Sequence, residues 1–253
     1  MRISIGGIPV DCVGTDEVIA RTVRHCEDRA APPLTIFSCN VDMVVKAARD
    51  PVFAQALSSG GIVTADGMPI VWLGRRLGGA FPERVAGSEL VPRISAACAA
   101  AGRRVFLLGA APGVAQAAAD ELRRRFPNLE VAGVLSPPMR FEMDPATLEE
   151  TLATVRAASP DVLFVAMGAP RQERFVAAHA HALGARVILG IGGSLDMLSG
   201  RVRRAPRWVQ RAGIEWLWRL AQEPRRLFRR YLVDDVAFVP IAWSELRRAR
   251  KAR

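Results

Sequence analysis

The chain has 253 residues, half of them hydrophobic, with 35 Lys+Arg against 25 Asp+Glu and a net charge of +10. That length suits one large α/β domain plus an appendage. No apolar run approaches the ~20 residues that span a bilayer, and the opening MRISIGGIPVDCV is too short and broken for a signal peptide. Cys12, Cys26, Cys39 and Cys98 lack C-x-x-C spacing and read as reduced packing residues of a cytosolic protein.

In chain order, two short strands joined at Gly6-Gly7 come first, then a helix opened by Thr15 and Glu17 that runs to about Asp28. Apolar, β-branched runs follow at 34–40, 61–66, 104–109, 129–135, 161–168 and 186–193. Helices are expected from Ser88-Glu89 to Gly102, after Pro112-Gly113, after the Asp144-Pro145 cap, and from Arg171 to Leu183 with Gly184 closing it. Continuous rather than alternating apolar strands imply burial on both faces. Alternation with helices then predicts an α/β, Rossmann-like, mostly parallel sheet covered by helices.

Charge divides the chain at residue 200. Residues 1–200 are neutral, so the whole excess lies in 201–253, with four of the five tryptophans, Trp208, Trp216, Trp218 and Trp243. We therefore expect an α/β domain over 1–200 and a basic, amphipathic helical appendage over 201–253, facing an anionic partner. Val209, Gly213, Trp216, Leu217 and Leu220 share one helical stripe. Pro224 interrupts it, and Leu227, Phe228 and Tyr231 form a second stripe among Arg225, Arg226, Arg229 and Arg230. Such a helix suits an anionic bilayer interface; the alternative is that the stripes dock on the domain.

Ligands of open parallel sheets bind beyond the carboxyl ends of the strands. Ser38 and Asn40 follow the first long strand, where Asn40 serves equally as a helix cap. Asp66 ends the second in TADGMP, as a simple Asp-Gly turn or as a carboxylate able to take a proton. Gly109 opens GAAPGV, which suits a diphosphate or a plain turn. GAPRQE places Arg171 and Gln172 at a helix start, with Glu173 explained by the helix dipole. Gly192, Gly193 and Asp196 lie in GIGGSLDMLSG, a stretch suited to a base or ribose. The histidines give no metal pattern, and no G-x-S-x-G or P-loop is present. Glu142-Met143-Asp144 resembles a metal-binding triplet, but Asp144 is already used as a cap.

The ordered motifs TADGMPIVW, RVAGSEL, VFLLGAAPGV, VAMGAPRQE, GIGGSLDMLSG, RAPRW and GIEWLWRLAQEPRRLFRRY resemble the WecG/TagA/CpsF family of bacterial glycosyltransferases over about residues 30–232. The resemblance implies an inverting transferase. It would move a hexose of the N-acetylmannosamine, glucose, galactose or uronic acid type from a UDP-sugar to a polyprenyl-diphosphate-linked sugar. The setting would be cell-surface polysaccharide synthesis, with the enzyme peripheral on the inner face of the plasma membrane, without metal or cofactor, and with room for a homo-oligomer. It casts Asp66 as catalytic base and places Asn40, Ser38 (for the usual threonine) and Arg84 around the sugar. Gln172 and Asp196 would line the nucleotide pocket, with the glycines 109, 192 and 193 near it. Arg219, Arg226 and Arg229 would face the lipid diphosphate. LSPPMRF departs from the family's Gly-Tyr-Phe-like stretch, so contacts from Ser136 to Phe141 do not carry over. The Arg/Trp-rich tail also admits a nucleic-acid-binding reading, though we expect no nucleic-acid partner. The fold admits a nucleotide-dependent oxidoreductase, for which no glycine fingerprint with a following acidic residue is found.

Overall fold

The computed structural model describes residues 1–203, 205, 206, 209 and 215–251, except for the side chain of Arg226. Strands β1 (Arg2–Ile5) and β2 (Ile8–Asp11) form an antiparallel hairpin, turned through Gly6 and Gly7 at φ +58° and +85°. Six further strands form one parallel sheet: β3 (Leu34–Cys39), β4 (Ile62–Ala65), β5 (Arg104–Gly109), β6 (Glu130–Leu135), β7 (Val162–Ala166) and β8 (Val187–Gly190). Their order across the sheet is β4-β3-β8-β7-β5-β6. The α/β class is as read from the sequence.

Successive side chains of a strand point to opposite faces, and this divides the apolar runs between two cores. Phe37, Val63, Leu163, Val165 and Ile188 enter one cluster. Ile36, Ile62, Val162, Phe164, Val187 and Leu189 enter the other. Helices α1 (Thr15–Glu27), α5 (Gly87–Ala101) and α6 (Val114–Arg125) supply the second cluster through Val18, Ile94 and Leu122. Helices α2 (Val41–Arg49), α3 (Pro51–Ser58), α4 (Met68–Arg76), α7 (Pro145–Ala158) and α8 (Arg171–His179) supply the first through Val44, Phe53, Ile70, Val155 and Val176.

Local signals set several boundaries. Asp50 and Asp144 accept hydrogen bonds from Phe53 N and Thr147 N, each before a proline at the first helical position. Gly102 closes α5 in the left-handed region. The expected helix to Leu183 is shorter than read. The regular helix ends at His179, and a turn through Ala180–Leu183, in which Leu183 N still donates to His179 O at 3.1 Å, leads to Gly184 at φ +68°. The hairpin protects the edge of the sheet: Asp11 Oδ2 accepts from Val63 N at 2.8 Å, while its other oxygen pairs with Arg2 at 2.8 Å.

After β8 come α9 (Ser194–Leu198), α10 (Glu215–Gln222), α11 (Pro224–Arg229), a π turn over Arg230–Asp234, a 3-10 turn over Asp235–Ala237 and α12 (Phe238–Lys251). The appendage is partly docked and partly open. Leu227 and Phe238 are buried, and Ile241, Ala242 and Leu246 pack on the first core. Phe228, Leu232, Val233, Val236, Val239 and Trp243 are exposed. Trp216 and Leu217, read as one stripe with Gly213, are also exposed; Gly213 lies outside the described residues, as does Trp208. No helix among the described residues is long and apolar enough to cross a membrane.

Candidate active site

The carboxyl ends of β4, β3, β8 and β7 lie side by side and open into a cleft of about 700 Å³. Ser38, Asn40, Asp66, Arg84, Gln172, Gly192 and Gly193 line it from the sheet side. Glu215, Trp216, Arg219, Arg230, Tyr231 and Asp235 line it from the appendage. Residues far apart in sequence thus converge at the strand ends, as parallel topology requires.

Asp66 and Arg84 are brought together by backbone. Val85 N donates to Ala65 O at 2.8 Å, and Thr64 Oγ1 donates to Val85 O at 3.1 Å. The residues flanking this junction, Asp66 and Arg84, therefore face each other, with Arg84 Nη1 3.7 Å from Asp66 Oδ1. Gly67 follows at φ +108°, a conformation that favours glycine. Burial raises the Asp66 carboxyl from its ordinary value to about 6; Arg84 opposes this, and Glu215 adds to it. Arg84 also contacts Glu89 at 3.1 Å and Glu215 at 3.3 Å. Its charge is thereby shared among three carboxylates.

Ser38 and Asn40 end β3. Thr64 Oγ1 lies 3.3 Å from Ser38 Oγ, and Asn40 Oδ1 accepts from Met43 N at 3.1 Å, capping α2. The cap reading of Asn40 therefore holds, and Asn40 faces the cleft as well.

Gln172 is almost wholly buried, and its Oε1 accepts from Gly192 N at 2.9 Å. Glu173 departs from the sequence reading. It does lie in the first turn of its helix, but the dipole is not its whole account: it is fully buried, accepts from Gln172 Nε2 at 2.6 Å, and is raised to about 7, chiefly by burial. Arg171 turns away and holds both oxygens of Glu142, at 2.6 and 2.7 Å. That pairing accounts for Glu142 as the helix cap accounts for Asp144. Asp196, expected to line the nucleotide pocket, is outside the cleft lining and stands behind Gly193: a Cβ built on Gly193 would lie 3.6 Å from Asp196 Oδ2 and 3.9 Å from Arg219 Nη2.

Three expectations shift. Gly109 is outside the cleft lining, because β5 lies beyond β7 in the sheet; its carbonyl accepts from Ser136 Oγ at 2.9 Å. Arg229, expected at the lipid diphosphate, is exposed, whereas its neighbour Arg230 enters the cleft. Arg230 lies three residues beyond the buried Leu227, on the face of the appendage turned to the domain. The Arg226 side chain lies outside the described residues. Asp42 and Lys46 are additions. Lys46 Nζ lies 2.7 Å and Arg230 Nη2 3.2 Å from the same buried Asp42 oxygen. Their signal in the sequence is an i,i+4 acid–base pair in the first turns of the helix that Asn40 caps. Among the described residues, Arg219 Nε, Arg230 Nε and Asp235 Oδ1 are buried without a hydrogen-bond partner. No three His, Cys, Asp or Glu among the described residues group as metal ligands.

A cleft holding a basic carboxylate and several guanidinium groups at its rim suits transfer chemistry with an anionic leaving group. A model of the glycosyl transferase WecG/TagA/CpsF family matches residues 3–252. The N-acetylglucosaminyldiphosphoundecaprenol N-acetyl-beta-D-mannosaminyltransferase of Bacillus subtilis (strain 168) is 31% identical over 204 residues, 80% of this chain and 77% of the relative. The protein of the same name from Staphylococcus aureus (strain MW2) is 26% identical over 228 residues, 90% of this chain and 87% of the relative. With cleft, fold and nearly the whole chain in agreement, this protein belongs to the glycosyl transferase WecG/TagA/CpsF family.

Proposed function

We propose that the protein is an inverting hexosyltransferase that moves a hexose from a UDP-sugar to a polyprenyl-diphosphate-linked sugar; its relatives are named as N-acetyl-beta-D-mannosaminyltransferases. The observation that carries this reading is Asp66 at the cleft end of β4, raised to about 6 and faced by Arg84. A carboxylate with that affinity for protons accepts one from a sugar hydroxyl better than an ordinary aspartate does. The hydroxyl oxygen attacks the anomeric carbon from the face opposite the nucleotide. The bond from that carbon to the diphosphate oxygen breaks, and UDP leaves with the electron pair. One base suffices for inversion, unlike the two carboxylates of a glycosidase. Arg219 and the backbone N–H of Gly193 supply positive charge for the departing diphosphate, Gly192 N–H being held by Gln172.

The appendage serves the lipid side of this reaction. Its exposed Phe228, Leu232, Val236 and Trp243 would enter the interface, with the exposed Arg225 and Arg229 drawn to anionic headgroups. The deciding assay incubates the protein with a panel of labelled UDP-hexoses and a short-chain polyprenyl-diphosphate N-acetylglucosamine. One UDP-sugar should yield a disaccharide lipid whose new linkage has the opposite anomeric configuration to the donor. Transfer from none of the panel, or retention of configuration, would refute the reading.

A further inference from the structure

Glu173 is wholly buried, lies outside the cleft lining and has no role in the transfer described above. It nevertheless touches a residue that does line the cleft. Gln172 Nε2 donates to Glu173 Oε1 at 2.6 Å, and Gln172 Oε1 accepts from Gly192 N at 2.9 Å. The chemistry of the two neighbours fixes the amide. A backbone N–H can only donate, so it requires the Gln172 oxygen; a carboxyl that receives the amide hydrogen requires the nitrogen. The close approach of Gly190 helps hold the side chain, since a Cβ there would lie 3.1 Å from Gln172 Nε2. The Gly192-Gly193 turn that Gln172 secures runs from β8 to α9, with Gly192 at φ +52° and Gly193 facing Arg219 and Asp196.

We propose that Glu173 is a positioning residue for the nucleotide site: it locks the Gln172 amide in one orientation, so that Gln172 holds the Gly192-Gly193 turn and presents its second Nε2 hydrogen to a nucleoside diphosphate in the cleft. Glu173 acts only through Gln172 and meets no ligand itself. The proposal extends the UDP-sugar reading and names the device that shapes the nucleotide end of the site. It also explains why a carboxyl is kept where its other oxygen, Oε2, is buried without a partner.

The test uses Glu173→Gln, Glu173→Leu, Gln172→Ala and the double variant Gln172→Ala/Glu173→Leu in the full-length protein. Two readouts are taken: hydrogen exchange at the Gly192 amide without ligand, and UDP affinity by calorimetry alongside kcat and KM. A buried amide that loses its acceptor exchanges faster, and one lost hydrogen bond weakens binding by roughly tenfold. Glu173→Leu should speed Gly192 exchange at least tenfold. It should also weaken UDP binding and raise the donor KM about tenfold, while kcat stays within about threefold. Glu173→Gln, which retains an acceptor oxygen, should fall between Glu173→Leu and wild type. The double variant should be no worse than Gln172→Ala alone, because two residues acting in series do not add. Unchanged Gly192 exchange in Glu173→Leu, or losses that multiply in the double variant, would overturn the proposal. Should Glu173→Leu not fold, the isosteric Glu173→Gln decides by the same two readouts. If the wild type binds no UDP, the donor reading fails while Gly192 exchange still judges the relay.

Discussion

Arg84 Nη1 stands 3.3 Å from Glu215 Oε2, joining the loop before α5 to the first residue of α10 at the rim of the cleft. A second ion pair of reversed polarity joins the same bodies, with Asp42 of α2 facing Arg230 of the π turn at 3.2 Å. All four residues line the cleft. Ion pairs that seat the appendage are therefore made of groups that also set the electrostatics of the cleft.

Replacing Asp66 by Asn preserves shape and removes the base. Turnover should fall by roughly 10²–10⁴ with UDP affinity nearly unchanged. Steady-state kinetics with calorimetry checks this, and wild-type turnover in Asp66→Asn would remove Asp66 from the mechanism.

The pH profile follows from the raised carboxyl. Asp66 is a base only when ionised, and burial lifts its value to about 6, so kcat should drop as pH falls through about 6. Glu215 is one of the carboxylates that hold this value up. Glu215→Gln removes that charge and leaves Arg84 freer to stabilise the ionised form, so the acidic limb should move to lower pH. A limb that stays in place in Glu215→Gln would show that the appendage carboxylate does not couple to the base.

Arg230 and Arg229 are neighbours with different surroundings, one turned into the cleft and one exposed. Arg230→Met should depress turnover even with a short, water-soluble acceptor, because the buried Asp42 loses a partner and the cleft loses a cation. Arg229→Met should leave that assay within about threefold and instead weaken binding to anionic vesicles, by about 1 kcal/mol at low salt. Equal effects of the two variants in both assays would contradict the inward turn of Arg230.

In the proposed membrane docking, the exposed apolar residues of the appendage contribute a part that salt does not screen. Phe228→Ser combined with Leu232→Ser should cut vesicle partitioning severalfold at both low and high ionic strength. The Arg225→Gln/Arg229→Gln pair should cut it at low ionic strength only. Cosedimentation across a salt series separates the two, and partitioning unaffected by Phe228→Ser/Leu232→Ser would leave the apolar face without a membrane role.

In the reaction proposed above, guanidinium groups and backbone N–H groups take the place of a metal at the diphosphate. Transfer should therefore persist in excess EDTA. Loss of activity on chelation, restored by Mg²⁺ or Mn²⁺, would require a cation at the diphosphate.

The strands were legible in the sequence because burial on both faces of a parallel sheet writes each of them as an unbroken apolar run; Val162–Ala166 is buried throughout. Their trailing glycines misled by only a few residues, since Gly168 and Gly192 belong to turns at positive φ. Asp66, Asn40, Ser38 and Gln172 were legible because each follows such a run, and parallel topology sends every residue of that kind to one edge. Gly109 obeys the same rule yet lies off the cleft, because only the strand order reveals that β5 is separated from β8 by β7. The appendage was legible as basic and apolar, but not in which direction each residue points. Arg230 follows the buried Leu227 by three residues and turns inward while Arg229 stays outside; only docking on the domain shows which helical face is covered. Glu173 and Asp42 were hidden for the same reason. On a single helix each reads as an ordinary acid near an N-terminus, and only packing against another element makes one the buried partner of Gln172 and the other the shared anion of Lys46 and Arg230. Sequence determined which chemistry the strand ends carry; tertiary structure decided which of those groups are desolvated and therefore strong.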